Sequence, residues 1–162
     1  MNQGGEAGVG YSTARGRDWP SVRQFSVFLE NRVGMMMELV RKFEGSNNRI
    51  IALSVLDSAD CAIIRIVVSD PERARETFEL AKMPFLEGDL LVVEVPDAVH
   101  PLAKICKALL AAEINISYAY PIMLNPKGNP ALALHVEDHE TAVATLQKQG
   151  FTVLTEKDLE GD

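Results

Sequence analysis

The pattern of apolar and polar positions changes its period along the chain. Residues 22–29 alternate, with Phe25, Val27 and Leu29 on one side, which is the two-residue period of a half-buried strand. Polar residues and Gly34 then end the alternation. The next apolar side chains are spaced three and four residues apart, as on one face of a helix: Met36, Leu39, Val40 and Phe43. The pattern therefore predicts a strand, a loop and a helix in that order.

Two β-rich runs and a second helix complete this first segment. Residues 50–56 and 62–68 are rich in aliphatic β-branched residues, and turn-forming residues join them, so they predict a hairpin. Asp70 and Pro71 then begin a helix, because aspartate caps a helix and proline fits its first position. The predicted buried side chains of this helix are Ala74, Thr77, Phe78 and Ala81.

The second half of the chain repeats the same order. Its predicted strands are residues 90–95, 116–124, 131–136 and 151–155. The four residues of the first helical stripe have counterparts at one constant offset, which are Leu102, Ile105, Cys106 and Leu109. Asp70 has its counterpart in Asp138, at a slightly larger offset because the hairpin loop of the second half is longer. A cap and a buried stripe that recur together indicate an internal duplication.

Each unit has the order β-α-β-β-α-β, which predicts an α+β fold of two ferredoxin-like units. In such a unit, two helices cover one face of an antiparallel sheet. We place a flexible tail at residues 1–20, one unit at residues 21–88 and the other at residues 89–162. Only MPFLEGD separates the second helix from the strand LLVVEV. The last strand of unit 1 is therefore very short, missing, or continuous with the first strand of unit 2.

Composition and charge narrow the range of functions. The chain has 162 residues, 47% of them hydrophobic, and a formal net charge of -7. This acidity argues against a general nucleic-acid binder and against an anionic membrane surface, since both need clustered lysine and arginine. No apolar run reaches the roughly 18 residues of a membrane span. Cys61 and Cys106 stand alone, which argues against disulfides and zinc and fits the cytoplasm.

The loops between the first strand and first helix of each unit carry a more specific motif. Unit 1 has Glu30-Asn31-Arg32-Val33-Gly34-Met35-Met36, and unit 2 has Pro96-Asp97-Ala98-Val99-His100-Pro101-Leu102. Before its second strand, unit 2 has Glu113-Ile114-Asn115-Ile116. Together with the duplication, these segments resemble tandem ACT domains, which are regulatory modules that often bind amino acids. The resemblance covers roughly residues 22–159.

The resemblance implies a ligand site at these loops, commonly completed by a neighbouring unit. Backbone N–H groups at the first helix would bind a carboxylate, while Glu30 or Asn31 would accept hydrogen bonds from an ammonium group. Arg32 would pair with an acidic ligand. The loop of unit 1 is the better candidate, because Gly34 keeps the glycine of the family and His100 replaces it in unit 2. The implied ligand-binding positions are Glu30, Asn31, Arg32, Val33, Gly34, Met35, Asp97, Ala98, Val99, His100, Asn115 and Ser117.

We therefore expect a non-catalytic regulatory or sensor protein that binds a small molecule of the amino-acid class. The chain contains no P-loop, GxGxxG, HExxH or GxSxG motif, and we expect no cofactor and no metal. The expected partners are the ligand, a second copy of the chain in a homodimer, and a regulated protein that the sequence does not name.

Other interpretations remain open from the sequence. Val33 and Val99 stand where the family commonly has proline, which favours a structural or dimerisation module whose ligand sites have decayed. Acylphosphatases share the order of elements and use a glycine-rich loop that ends in arginine, which the segment from Arg32 to Arg41 resembles faintly. RNA-recognition motifs also share the order, but the third strand of each unit lacks the aromatic residues that would stack on bases.

Overall fold

The computed structural model describes residues 18–160, so all of the predicted tail except Asp18, Trp19 and Pro20 lies outside the described residues. The strands are β1 Val22–Glu30, β2 Ile50–Asp57, β3 Cys61–Val68, β4 Phe85–Glu94, β5 Ile116–Pro121, β6 Ala131–Val136 and β7 Val153–Leu154. The helices are α1 Met35–Arg41, α2 Pro71–Leu80, α3 Pro101–Ala111, α4 His139–Lys148 and α5 Glu156–Leu159, with a 3-10 turn at Pro126–Gly128. The predicted α+β fold with a duplicated order of elements is confirmed.

Strand β4 belongs to both units. The sheet has the order β2-β3-β1-β4-β6-β5, and its pairings are antiparallel. The first half of β4 pairs with β1, from Phe85 opposite Val27 to Leu90 opposite Val22. Its second half, Leu91–Glu94, pairs with β6, and β7 lies along its other side. The last strand of unit 1 is therefore continuous with the first strand of unit 2, and the predicted boundary between residues 88 and 89 lies inside β4.

The helices of each unit cover one face of its part of the sheet. In unit 1, Phe25 of β1 packs among α1 and α2, with its ring centroid 5.3 Å from that of Phe78 in an edge-to-face contact. In unit 2, Leu91 and Val93 of β4 pack in the corresponding cluster with α3 and α4. The predicted alternation of β1 therefore identifies the side of the sheet that the helices cover.

The helical stripes predicted for α1 and α3 are partly wrong. Met36 is 48% exposed, its counterpart Leu102 is 55% exposed, and Cys106 is also exposed. Both segments contain overlapping sets of apolar residues at helical spacing, and docking on the sheet selects one of them. The buried positions are Met35, Leu39 and Phe43 in unit 1 and Ile105, Ala108 and Leu109 in unit 2.

The duplication is visible in the backbone as well as in the sequence. Asp70 and Asp138 each accept a hydrogen bond from the N–H three residues later, at 3.2 and 3.1 Å, and so cap α2 and α4. Lys82 and Gly150 follow these two helices and both adopt a left-handed backbone, with φ of 55° and 87°. The two units therefore share their helix caps and the turns that end their second helices.

The helix-free faces of the two units pack against each other. The side-chain amide of Gln24 on β1 donates to the Tyr118 hydroxyl at 2.8 Å, and its oxygen accepts from the Tyr120 hydroxyl at 2.6 Å. The guanidinium of Arg65 lies 3.7 Å above the centre of the Tyr118 ring. Because these groups come from β1 and β3 on one side and β5 on the other, the units form one body with an interior shared between them.

A buried ion pair connects the units a second time. Arg23 of β1 is 4% exposed and donates from Nε and Nη2 to the two carboxylate oxygens of Glu156, each at 3.0 Å. It also donates to Glu72. Burial works to lower the pKa of Arg23, but hydrogen bonds to Glu156 and Glu72 outweigh it and raise that pKa above its usual value. The short helix α5 is thereby attached to β1.

Candidate functional site

The loop of unit 1 is a tight turn whose charged side chains bind one another. Gly34 precedes α1 with φ of 89°, a left-handed conformation that favours glycine. The guanidinium of Arg32 donates to Glu30 at 3.3 Å and to Glu38 at 3.2 Å. The positive charge predicted to pair with an acidic ligand is therefore already paired within the loop and the first turn of α1.

Other predicted residues of this loop also have defined surroundings. The amide of Asn31 donates to the Asp57 carboxylate at 2.7 Å and to the Ser58 carbonyl at 3.0 Å, which ties the loop to the β2–β3 hairpin. Met35 is buried in the core of unit 1, whereas Val33 is 99% exposed. The apolar surface of this region therefore comes from Val33 and the outer side of α1 rather than from Met35.

The loop of unit 2 enters its helix with a different backbone conformation from that of unit 1. His100 precedes α3 with φ of -128°, so its backbone is not left-handed like that of its counterpart Gly34. Asp97, Val99 and His100 are exposed, and Ala98 is half-buried. The loop thus presents a carboxylate, an imidazole and an apolar side chain to the surface.

The two remaining predicted residues lie at the start of β5. Asn115 and Ser117 flank Ile116 and are both exposed. The pairing of β5 with β6 shifts its register between Ile116 and Tyr118, so Ser117 lies at an irregularity of the sheet. Within residues 18–160, no hydrogen bond joins either side chain to the two loops.

A cleft of 530 Å³ lies beside the loop of unit 2, and we call it the α3 cleft. Helix α3 forms one wall, the end of β4 a second, and the turn between α4 and β7 a third. Its volume is in the range of small-molecule pockets. The lining residues are Glu94, Pro96, Lys104, Lys107, Ala108, Gln149, Gly150, Phe151 and Thr152.

The α3 cleft contains charges of both signs. Lys104 and Lys107 lie about one turn apart on α3, and both are exposed. Neither lysine forms an ion pair with another side chain between residues 18 and 160. The Glu94 carboxylate accepts one hydrogen bond, from Asn129 at 3.0 Å. The cleft can therefore bind an anionic group at the lysines and a cationic group at Glu94, beside apolar surface from Pro96, Ala108 and Phe151.

Pro96 of the α3 cleft belongs to the loop motif of unit 2, but the charged residues of the cleft stand outside every motif that the sequence indicated. A difference between the repeats could have pointed to Lys104, because the acidic Glu38 occupies the equivalent position of unit 1, whereas the counterpart of Lys107 is the equally cationic Arg41. The other wall, residues 149–152, is distant in the chain and meets α3 only in the folded protein. Local patterns of hydrophobicity contain no information about this tertiary contact between residues 149–152 and α3.

Two other kinds of feature, a metal site and a membrane-spanning helix, are absent from the described part of the chain. Residues 18–160 contain no group of three or more His, Cys, Asp and Glu side chains that could hold a metal ion. No helix within the same range is long and apolar enough to cross a bilayer.

Comparison with known families gives one match that spans nearly the whole chain. The family model described as an ACT domain pair matches residues 20–161. A comparison with curated proteins finds no significant match.

Solved structures share the fold at low sequence identity. A protein from Bacteroides thetaiotaomicron has a TM-score of 0.78 and 24% identity, covering 86% of this chain and 96% of that one. The regulatory subunit of aspartate kinase from Thermus thermophilus, in its ligand-free form, has a TM-score of 0.53 and 11% identity over 83% and 96% of the two chains. The same subunit from Thermus flavus has a TM-score of 0.52 and 11% identity over 78% and 88%.

Proposed function

Because the chain belongs to the ACT domain pair family, we propose that it is a non-catalytic regulatory protein that binds an amino acid. The proposal places the ligand in the α3 cleft, beside the predicted loop residues Asp97 to His100. One observation carries it: two lysines, neither of which forms an ion pair within residues 18–160, line the same small cleft as one carboxylate. The loop of unit 1, Glu30 to Met35, and the β5 residues Asn115 and Ser117 are kept as further candidate positions.

A free amino acid supplies a partner for each charged group of the α3 cleft. Its carboxylate would accept hydrogen bonds from Lys104 and Lys107, and its ammonium group would donate to Glu94. Such charge-assisted hydrogen bonds are about twice as strong as neutral ones. Phe151 and Ala108 offer apolar surface to the ligand side chain. A ligand with only one sign of charge would leave either the lysines or the carboxylate unpaired.

The connections between the units provide a route for regulation. The N–H of Glu94 donates to the Thr152 carbonyl at 2.8 Å, which joins two walls of the α3 cleft. Thr152 leads into β7 and then α5, where Glu156 binds Arg23 of unit 1. A ligand that binds one arrangement of these walls better than another shifts the population towards it. A partner protein would then recognise the favoured arrangement.

We further propose that the protein acts as a cytoplasmic homodimer and needs no cofactor. Apolar side chains are exposed at equivalent positions in both units, Val33 with Val99 and Met36 with Leu102. Exposed apolar surface of this kind suits contact with a second copy of the chain. Sedimentation equilibrium tests the dimer, and a monomer at every concentration would contradict it.

Isothermal titration calorimetry with the twenty amino acids tests the proposed ligand class. We expect one or a few amino acids to bind with one molecule per α3 cleft. The double variant Lys104→Gln with Lys107→Gln should weaken that binding at least tenfold, which corresponds to about 1.4 kcal/mol. Lys42→Gln is the matched control, because Lys42 is an exposed lysine after α1 that lines no part of the α3 cleft.

Each outcome of the titration has a defined meaning. Equal binding by the double variant and the parent would reject the α3 cleft, and weaker binding by Arg32→Gln instead would move the site to the loop of unit 1. No binding by any amino acid would reject the ligand class and favour the alternative of a structural module. The pairing of Arg32 with Glu30 and Glu38 supports that alternative for unit 1.

A further inference from the structure

A second cleft of 630 Å³ lies where the two units meet, and we call it the junction cleft. Arg49, which precedes β2, comes from unit 1, while Lys127 of the β5–β6 loop and Lys157 of α5 come from unit 2. Three cationic side chains from three separate segments therefore line one cavity. The junction cleft and the α3 cleft have no lining residue in common.

The carboxylate in the lining of the junction cleft, that of Asp158, already forms an ion pair and hydrogen bonds within the protein. Asp158 Oδ1 pairs with Lys127 at 3.0 Å. Its Oδ2 accepts hydrogen bonds from the N–H and hydroxyl of Thr155, at 2.9 and 3.1 Å, as part of the capping box that begins α5. One carboxylate thus faces three cations in the lining, which leaves an excess of positive charge.

Arg49 and Lys157 have weak partners within the described residues. Nη2 of Arg49 donates to the backbone carbonyl of Glu160 at 3.2 Å, which is a neutral acceptor. Nζ of Lys157 lies 3.8 Å from Asp18, and both side chains are largely exposed, an arrangement that contributes little. The chain as a whole has a net charge of -7, so a local excess of cations is not a consequence of its composition.

The backbone at Lys127 has an unusual conformation. Its φ is 52°, in the left-handed region, and Gly128 follows with φ of 83°. A left-handed conformation costs a residue other than glycine on the order of 1 kcal/mol and is common at ligand-binding sites. The backbone of the loop is therefore strained at Lys127, the residue whose side chain lines the junction cleft.

We propose that the junction cleft binds a small molecule with a compact doubly charged anionic end, either a phosphate group or a pair of carboxylates. Arg49 and Lys157 would donate to it directly, since a guanidinium and an ammonium group are the side chains that bind such anions most strongly. Lys127 would add positive charge from the opposite segment. Because Arg49 belongs to unit 1 and both lysines belong to unit 2, the ligand would stabilise the contact between the units. This site is independent of the amino-acid site proposed above.

An NMR titration tests the junction cleft with two probes, inorganic phosphate and succinate, each at constant ionic strength. We expect saturable amide shifts in the lining segments of the junction cleft for at least one probe. Arg49→Gln and Lys157→Gln should each raise its Kd at least tenfold, whereas Lys42→Gln should leave it unchanged. The probe with the lower Kd distinguishes a phosphate ligand from a dicarboxylate ligand.

Two comparisons among the variants separate this proposal from a folding defect and from the amino-acid site. Lys157→Gln changes an exposed side chain, so it remains informative if Arg49→Gln disturbs the fold. The double variant Lys104→Gln with Lys107→Gln should keep phosphate or succinate binding, which separates this proposal from the amino-acid site. Shifts that do not saturate with either probe, or equal weakening by Lys42→Gln, would overturn the proposal and indicate non-specific attraction to surface charge.

Discussion

Glycines in ordinary and left-handed conformations show how single residues determine local geometry. Gly34 has φ of 89° at the entry to α1, while Gly88 lies inside β4 outside the left-handed region. Open space surrounds the position that a Cβ would occupy at either glycine. The cost of a side chain at these two positions therefore depends on the backbone conformation and not on steric contacts.

Gly34→Ala is expected to destabilise the protein by about 1 kcal/mol, because alanine disfavours the left-handed region. Gly88→Ala is the matched control and is expected to leave stability unchanged or to raise it slightly, since alanine fits an extended strand better than glycine. Urea denaturation of the two variants and the parent measures both effects. Equal stability of the two variants would contradict the argument from φ.

Strand β4 is the element that pairs with strands of both units. Leu90 is fully buried between the units, whereas Leu86 lies on the same face of the same strand and is 64% exposed. The two halves of β4 are continuous, and side chains such as Leu90 lie in the interior that the two units share. The element therefore makes the stability of the two units interdependent.

Leu90→Ala is expected to cost about 3 kcal/mol, because it removes buried apolar atoms and leaves a cavity. Leu86→Ala makes the same chemical change at an exposed position and is expected to cost less than about 1 kcal/mol. Urea unfolding followed by far-UV circular dichroism measures both free energies. The transition of Leu90→Ala should remain single and cooperative, and two separate transitions would show that the units unfold independently.

For the whole molecule, a polar network joins the units where two helix-free faces meet. Tyr120 lies within it, and burial, followed by the nearby Tyr118, raises the pKa of its hydroxyl above the usual value. The ion pair between Arg23 and Glu156 attaches the C-terminal helix α5 to β1. Buried groups of this kind stabilise one relative position of the units, because misplacement would leave them without partners.

Glu156→Gln is expected to destabilise the protein by about 3 kcal/mol, because it removes one partner of a buried ion pair and leaves Arg23 with Glu72 alone. Glu87→Gln is the control: Glu87 pairs with Arg75 at 2.8 Å, but both side chains are partly exposed. That pair is expected to contribute about 1 kcal/mol or less. Thermal unfolding of both variants tests the difference, and equal midpoints would contradict it.

The sequence determined much of this architecture because local patterns contain the necessary information. Alternation identified the side of β1 that the helices cover, and aspartates at equivalent positions of the two repeats identified the caps of α2 and α4. The duplication led to the ACT resemblance that the family match confirms. These features depend on neighbours in the chain, so a single sequence is enough to find them.

Tertiary structure alone decided which apolar positions of α1 and α3 are buried, how β4 is shared, and where clefts form. Met35 and Met36 fit a helical stripe equally well, and only docking on the sheet selects Met35. The α3 cleft and the junction cleft each bring together segments that lie far apart in the chain. Packing between distant segments follows from the complete three-dimensional arrangement, and no local period of the sequence encodes it.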